Sequence, residues 1–587
     1  MHTQGRGNIA ALGAITAVCI VMALFADTAI KAGLDADRYS LMESLVERGT
    51  SRVEGATFPS IDWVKIDGQF YSGKPPLLSV AGAGVYWAFR AATGWTLKEH
   101  PDAFVRMMIC IFVILPYLGI LWLFWSRFLP PSLPLATKWG LLLVLAAASL
   151  LLPYAKTFSN HLLAAFLLLA ALLSGIRGRD FAVGLLAGLS AAVDLIPGTC
   201  FGLGWVICRI ARKSPVRQWA LSVAGAALPL GINAALNYAT IGSIWPAYLL
   251  PNALNYEGSL WITPASPSSD YETFSNYGMA LFHFTFGHRG VFVFMPLLPI
   301  GISSWVQLLR SGDPQETGLK STAAATLTAI VGTILLTPKF SLGLAGGAYG
   351  PRHIIPVIPI AYAGMPLAWP ILKQGVRRIL VPAFAVWSGL LAAIGSIEPW
   401  TPNTLSVYAP LEVAANVAAK SSSGWSDFSE QIIDHTAWSR DFAYYEIGRT
   451  YASAGKPAEA VMAFRRSVTI NPNRALAYYH YGTLAGSLGA MKEAATAFQK
   501  LVSLEPDNGG GWSNLGLSLL AMGQTDNARS ALERGLEINP NSRGALIGMI
   551  RISRQQGNTS GTQGFIERLE RLEGPGSAEK LAPPPRK

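Results

Sequence analysis

Charged residues are scarce in this sequence: they make up 14% of its 587 residues, against about 25% in an ordinary soluble protein. Hydrophobic residues reach 51%, and the mean hydropathy is +0.34. This composition excludes intrinsic disorder and argues against a wholly soluble enzyme. Because the chain is also too long for one ordinary domain, we expect a polytopic membrane protein with a soluble part attached.

Cysteine is scarce as well, since the chain contains only four. All four lie inside apolar segments, where we interpret them as small buried hydrophobic side chains. A disulfide framework or a cysteine metal site is therefore not expected. The four residues are Cys19, Cys110, Cys200 and Cys208.

Long uncharged runs dominate the first 400 residues, and each is long enough to cross a bilayer as a helix. A further segment, 181–208, carries one charge at Asp194 and has basic residues at both ends. We predict a hairpin of two short helices there, broken at Asp194–Gly198, which brings the total to about eleven spans. The uncharged runs are 9–26, 107–126, 139–155, 157–176, 219–238, 290–309, 321–338, 353–372 and 379–397.

The basic excess follows this pattern of spans. With the N-terminus cytoplasmic, the loops on that side hold fourteen basic and three acidic residues, an excess equal to the whole net charge of +11. Basic loops stay on the cytoplasmic side of a membrane. The charge is thus a topology signal that needs no nucleic-acid partner, and it places the C-terminal region outside. The run 76–89 is too short to span, so we predict an interfacial or re-entrant segment.

A repeat with a period of 34 residues begins after about residue 438. Small residues recur where helices touch, and a proline closes each unit; this resembles the tetratricopeptide repeat. We predict repeats over 441–474, 475–508 and 509–542, with a degenerate fourth over 543–576 that caps the stack. Such repeats form a concave surface for a protein or peptide partner. The repeating positions are Gly448, Gly482 and Gly516; Ala460, Ala494 and Ala528; Phe464, Phe498 and Leu532; Pro472, Pro506 and Pro540.

Two motifs follow the first apolar run. Residues 34–39 read Leu-Asp-Ala-Asp-Arg-Tyr, and residues 71–77 read Tyr-Ser-Gly-Lys-Pro-Pro-Leu. This pairing resembles the GT-C glycosyltransferases, in particular the branch with the protein mannosyltransferases and the lipid A aminoarabinose transferases. The resemblance covers about residues 9–400, and three further segments share it: 184–198, 286–290 and 349–353. It implies transfer of a sugar from a polyprenyl-phosphate carrier at the outer membrane face.

Such a transfer needs a carboxylate as base and positive charge beside the leaving phosphate. The resemblance makes Asp35 the candidate base. Asp37 is the alternative, because Ala36 stands where the family pattern often has Glu. We interpret Asp62 and Asp67 as turn residues. Candidates for binding the donor phosphate are Lys74, Arg289 and Arg352, and further site candidates are His161, Asp194, His288, Tyr349 and His353.

The histidines lack the spacing of a zinc site. The sequence therefore identifies no cofactor, and a divalent metal ion is left as an open alternative. The expected fold is all-α, with a GT-C-like membrane domain over 1–400, a linker over 401–437, an extracytoplasmic repeat domain over 438–576 and a disordered tail over 577–587. The expected partners are the lipid-linked donor and a lipid, glycan or protein acceptor in a bacterial inner membrane. The alternatives are a non-catalytic membrane scaffold and a transporter of lipid-linked sugar.

Overall fold

The structure is a computed structural model in which two compact units are distinguished. One comprises Met1–Ser259 and Ser269–Asn403, and the other comprises Leu260–Ser268 and Thr404–Lys587. The residues that the structure describes are mostly helical. They are 2–28, 30, 35–60, 62–250, 253, 274–287, 290–311, 317–340, 350–397, 440–453, 455–557 and 559–573.

Within its described residues, the first unit is built from helices and one β-hairpin. Strands β1 (Trp63–Ile66) and β2 (Gln69–Ser72) pair antiparallel, with Trp63 opposite Ser72, so the prediction of an all-α chain was incomplete. The helices are α1 His2–Leu24, α2 Ala36–Glu43, α3 Pro76–Thr93, α4 Pro101–Phe128, α5 Leu135–Ala147, α6 Leu151–Tyr154, α7 His161–Ile176, α8 Asp180–Val193, α9 Leu195–Ala211, α10 Val216–Ile241, α11 Phe274–Thr285, α12 Val291–Phe294, α13 Leu298–Arg310, α14 Thr317–Phe340, α15 Ile358–Tyr362, α16 Met365–Leu372 and α17 Arg377–Ile397.

Five of these helices are long and apolar enough to cross a membrane: α1, α4, α10, α14 and α17. The predicted total of about eleven spans is not confirmed, because several uncharged runs are divided. The run 353–372 becomes a 3₁₀ turn (Arg352–Val357), α15 and α16. Prolines within it, such as Pro356, cannot donate a backbone hydrogen bond. The run 139–155 breaks after α5, where the hydroxyl of Ser149 donates to the carbonyl of Leu145 and accepts from the amide of Leu151.

The predicted break at Asp194 is observed. This residue has an extended backbone (φ −143°, ψ 101°) between α8 and α9. Glycines bring α8 close to α10: a Cβ at Gly184 would lie 1.8 Å from the carbonyl oxygen of Ser222, and a Cβ at Gly225 would lie 2.2 Å from that of Phe181. Any larger side chain at these positions would separate the two helices.

A buried ion pair joins the start of α8 to the end of α9. Arg209 of α9 contacts Asp180 of α8 at 2.9 Å, and it also donates to Gln218 of α10 at 3.0 Å. The guanidinium lies over the ring of Trp205, 4.7 Å from its centroid. Arg209 is one of the basic residues that follow the predicted hairpin, and the structure shows that it also links three helices.

The second unit contains antiparallel helix pairs over residues 440–573. Each of the first two pairs packs a large side chain of its second helix onto a glycine of its first. A Cβ added at Gly448 would lie 2.7 Å from the ring of Phe464, and one added at Gly482 would lie 2.8 Å from the ring of Phe498. The helices are α18 Arg440–Ser453, α19 Pro457–Ile470, α20 Ala475–Ser487, α21 Met491–Leu504, α22 Gly509–Ala521, α23 Thr525–Ile538, α24 Arg543–Gln555 and α25 Thr559–Glu573.

A histidine of the second helix pair packs against the first pair. The ring of His480 stacks on Phe464, with 5.5 Å between ring centroids. Burial, together with the charge of Arg449, lowers the pKa of His480 to about 4. The unfolded chain takes up this proton near pH ~6.5. The stability that the neutral ring provides is therefore fully present above that pH and is lost as the pH falls towards 4.

We therefore expect the unfolding temperature of the full chain in detergent, followed by circular dichroism, to decrease between pH 7 and pH 4. The variant His480→Phe keeps the ring stack but cannot be protonated, so its decrease should be smaller. Equal decreases in the two proteins would mean that His480 is not the responsible group.

Candidate functional site

The acidic motif lies on a helix whose place is fixed by buried contacts. All residues of α2 are buried. Tyr39 packs against Phe104 and Phe158, with 5.5 and 5.1 Å between ring centroids. The carboxylate of Glu43 accepts from the amide and the hydroxyl of Thr57 at 2.9 and 2.6 Å. Because α2 is held in this way, the two aspartates at its start have defined positions.

Asp37 organises the backbone that leads to the lysine motif. Its carboxylate accepts from the hydroxyl of Ser72 at 2.5 Å and from the amides of Gly73 and Lys74, both at 3.3 Å. The side chain is fully buried. Burial, and to a smaller extent the charge of Asp62, raises the pKa of Asp37 to about 6, while Lys74 and Ser72 oppose this change. Asp37 therefore holds the segment from Ser72 to Lys74 in place.

Asp62 contacts Lys74, the residue predicted to bind the donor phosphate. Its carboxylate lies 2.8 Å from the ammonium of Lys74, and it is nearly buried, with 7% of the residue exposed. Sequence reasoning missed this role by treating Asp62 as a turn residue. The signal was available: Asp67 and Gly68 form the exposed turn of a hairpin, and the register of that hairpin brings Trp63 opposite Ser72.

A histidine–aspartate pair occupies the helix break. The Nδ1 atom of His161 lies 2.6 Å from the Oδ2 atom of Asp194. The ring of His353 is 5.4 Å from that of His161, at an angle of 84°. Asn160 donates to the carbonyl of Val193 at 2.9 Å, which anchors the start of α7 to the end of α8. The structure thus brings together three of the predicted residues from three separate segments.

Two buried arginines connect these groups electrostatically. Arg38 interacts with Asp35, Asp37, Asp62 and Asp194. Arg352 interacts with Asp35, Asp62 and Asp194 as well. Both arginines and three of the carboxylates are less than a tenth exposed, and Asp194 is 12% exposed at its side chain. The structure therefore places these carboxylates and the two arginines within electrostatic range of one another, and Lys74, whose side chain is 29% exposed, contacts Asp62.

Three predicted residues, His288, Arg289 and Tyr349, lie outside the described residues. Across the described ranges, no group of three or more His, Cys, Asp or Glu side chains is arranged to hold a metal ion. The described part of the cluster contains carboxylates, a lysine, arginines and a His–Asp pair.

Residues 445–509 and 510–542 match family models described as tetratricopeptide repeat. The helix pairs over residues 445–542 are tetratricopeptide repeats. The predicted repeat is confirmed for this part of the chain. The models cover the second unit only, so the resemblance of the first 400 residues to GT-C enzymes stays a prediction.

The repeats are also similar to solved structures. The MamA fragment 41-end from Desulfovibrio magneticus RS-1 is 16% identical, with 25% of this chain and 82% of that chain covered and a TM-score of 0.23. TTC0263, a thermophilic protein from Thermus thermophilus, is 18% identical, with 24% and 80% covered and a TM-score of 0.22. The first tetratricopeptide domain of Spaghetti (RPAP3), bound to an HSP90 peptide, is 21% identical, with 20% and 93% covered and a TM-score of 0.19. At such TM-scores these likenesses carry no functional inference. No curated protein matches the chain.

Proposed function

We propose that this chain is a membrane glycosyltransferase of the GT-C type, which moves a sugar from a polyprenyl-phosphate donor to an acceptor on the extracytoplasmic face. In this proposal the first unit lies in a bacterial inner membrane with its N-terminus cytoplasmic. The five long apolar helices are compatible with that location. The tetratricopeptide repeats contribute a surface for a protein or peptide partner.

The observation that carries the proposal is the meeting of the two sequence motifs. Asp37 accepts from the amide of Lys74, and Asp62 contacts its ammonium at 2.8 Å. The buried Arg38 and Arg352 lie within electrostatic range of Asp35 and Asp62. Buried ionisable groups are costly and mark functional sites in membrane proteins. Carboxylates beside cations can supply the two groups that the transfer requires: a base for the acceptor hydroxyl and a cation that binds the donor phosphate.

The reaction divides between these groups. In an inverting transfer a carboxylate takes the proton of the acceptor hydroxyl, and the oxygen of that hydroxyl bonds to C1 of the sugar. The bond from C1 to the phosphate oxygen breaks, and the lipid phosphate leaves with the electron pair. A neighbouring cation stabilises that negative charge. We assign the proton to Asp35, the candidate base that the resemblance implies, and the phosphate to Lys74, the cation of the Lys-Pro-Pro motif. Asp37 accepts from Ser72, Gly73 and Lys74 and holds that segment in place.

The test is transfer from radiolabelled polyprenyl-phosphate sugars in membranes, with Lys74→Met beside the wild type. Loss of a charge-assisted bond to phosphate should raise KM for the donor at least about tenfold. Lys98→Met is the matched control, because Lys98 is exposed, and it should keep wild-type KM.

The competing function is a membrane scaffold whose repeats recruit a partner. It is favoured by the repeats themselves, which are the part of the chain with a matched family. An absence of transfer by the wild type from every donor and acceptor tested, with a partner still bound to the repeats, would support the scaffold against the enzyme.

A further inference from the structure

Helix α3 has one buried face and one exposed face. The buried face carries Leu78, Gly82 and Tyr86, and a Cβ at Gly82 would lie 2.4 Å from the side chain of Met42 on α2. The exposed face is apolar and includes a tryptophan that is 66% exposed. An apolar face of this kind marks a surface for lipid or for another protein. Its exposed residues are Ala81, Gly84, Trp87, Ala88, Ala91 and Ala92.

A charged segment packs on the buried face of α3. The hydroxyl of Tyr86 donates to the carboxylate of Glu47 and accepts from the amide of Leu97 at 2.7 Å. Arg48, which follows Glu47, is exposed, and so is Arg52. Charged side chains are costly in the hydrocarbon of a bilayer. The helix therefore lies between a charged layer and an apolar face, which argues against a position deep within a membrane.

The start of α3 lies beside the end of α10. Helix α10 is long and apolar enough to cross a membrane, and most of its surface is not covered by protein. Two large aromatic residues are exposed where it ends: Tyr238 at 65% and Trp245 at 63%. Tryptophan and tyrosine are enriched where a membrane meets water. The apolar face of α3 thus adjoins a surface that has the features of a lipid-facing helix and of its interfacial end.

We propose that the exposed face of α3 binds the surface of a lipid bilayer, with the helix axis in the plane of the interface. The sequence predicted an interfacial or a re-entrant segment for 76–89, and the charged layer on the buried face decides for the first. Trp87 lies on the bound face. Trp95, which is 42% exposed and stacks on His100 with 4.1 Å between ring centroids, lies just beyond the end of the helix. Both rings would lie among the lipid headgroups.

This arrangement determines the depth of Lys74 in the membrane. Pro75 and Pro76 connect Lys74 to α3, and their rings restrict the backbone between them. A helix in the interface plane therefore holds the Lys74 ammonium at the level of the lipid phosphates. That such a phosphate belongs to the sugar donor rests on the proposed function, whereas the position of α3 does not.

The experiment measures the depth of nitroxide labels on α3 in the full chain in lipid nanodiscs. Ala81→Cys and Ala92→Cys carry the labels on one side of the helix, about 16 Å apart along its axis. Power-saturation EPR compares access of oxygen, which concentrates in hydrocarbon, with access of a water-soluble nickel complex. Both labels should lie at the same depth, about 5–10 Å into the boundary between headgroups and acyl chains. Depths that differ by more than half the distance between the labels would show a re-entrant helix and would overturn the proposal.

Two further labels calibrate the measurement. Ala227→Cys is exposed in the middle of α10 and should be reached by oxygen but not by the nickel complex. Ser487→Cys is exposed in the repeats and should be reached by the nickel complex. The half-buried native cysteines, Cys110 and Cys208, are replaced by alanine in every protein.

A position on the same face covers the case in which Ala81→Cys does not fold. Gly84→Cys then replaces it, because a Cβ at Gly84 meets no other atom within 4 Å. Access of the nickel complex to both labels, equal to that at residue 487, would place the face in water and overturn the proposal. Access of neither reagent would also overturn it, because another protein segment or a second copy would then cover the face.

The labels report the position of α3 without any transfer reaction. Labels at the interface in a protein that transfers no sugar would count against the glycosyltransferase and for the lipid-bound helix. Sugar transfer by a protein whose labels lie in water would count against the lipid-bound helix alone.

Discussion

Replacement of Asp35 by Asn is expected to lower the rate of sugar transfer by about 10²–10⁴-fold, the range that general base catalysis contributes. Asp35 is 3% exposed and lies at the start of α2. It interacts electrostatically with Arg38 and Arg352. The substitution keeps the size of the side chain and removes its ability to accept the acceptor's proton. The loss should therefore appear in kcat, while the donor binds with unchanged affinity.

The measurement is transfer of a radiolabelled sugar at saturating donor, together with donor binding by calorimetry. Asp102→Asn is the matched control, because Asp102 is an exposed residue in the first turn of α4, and it should retain full activity. Wild-type kcat in Asp35→Asn would remove this residue from the reaction. The His161–Asp194 pair would then be the next candidate base, since its atoms are 2.6 Å apart and it lies in the same charged cluster.

The repeats could be predicted from the sequence because their determinants are local and recur. Gly448 and Phe464 contact within one helix pair, and the same contact returns 34 residues later between Gly482 and Phe498. Each copy therefore repeats the same pattern of small and large positions. No contact between distant segments had to be known.

The spans were harder to predict because uncharged runs say little about where helices break. The run 353–372 looked continuous by length, yet its prolines divide it into short helices. Hydropathy measures the environment of a segment, whereas a break depends on single residues that lack or divert a backbone hydrogen bond. The break at Asp194 was predictable because a charge, a proline and a glycine coincide there.

The sequence singles out the charged residues of the candidate site, but it does not indicate how they contact one another. Asp35, Asp37 and Lys74 stand out by residue type and by their position after an apolar run. The contact of Asp62 with Lys74 depends on the register of the hairpin between them. That of His161 with Asp194 depends on how α7 packs against the break between α8 and α9, which is tertiary information.

Replacement of Asp37 by Asn is expected to weaken donor binding and to lower transfer by about 10²-fold, the cost of a displacement of about 1 Å in a catalytic group. The carboxylate accepts three hydrogen bonds from the segment that carries Lys74. An amide presents a donor where one of these donors now points. The segment must shift, and Lys74 shifts with it. Asp67→Asn, in the exposed hairpin turn, is the control and should behave as the wild type.

The pH dependence of donor affinity tests whether the Asp37 carboxylate positions Lys74. Its pKa is raised to about 6, so the carboxyl becomes protonated as the pH falls from about 7.5 to about 5 and accepts the Gly73 and Lys74 amides less well. Affinity for decaprenyl-phosphate-linked mannose, a phosphodiester whose charge is constant over this range, should decrease in the wild type. In Asp37→Asn it should be low and independent of pH, so that the two proteins converge at the acidic end of the range.

As the pH rises, the contribution of Asp37 to folding stability should decrease while its contribution to donor affinity increases. Because the folded pKa of Asp37 is raised, the unfolded chain releases this proton at lower pH than the folded one. The stability that this group provides is therefore present below its unfolded pKa and is lost as the pH rises through about 6. At neutral and higher pH the wild type carries the cost of a buried carboxylate, and Asp37→Asn should unfold at no lower temperature while binding the donor more weakly. A variant that lost both stability and affinity would instead show that Asp37 serves the fold, with no separate role in positioning Lys74.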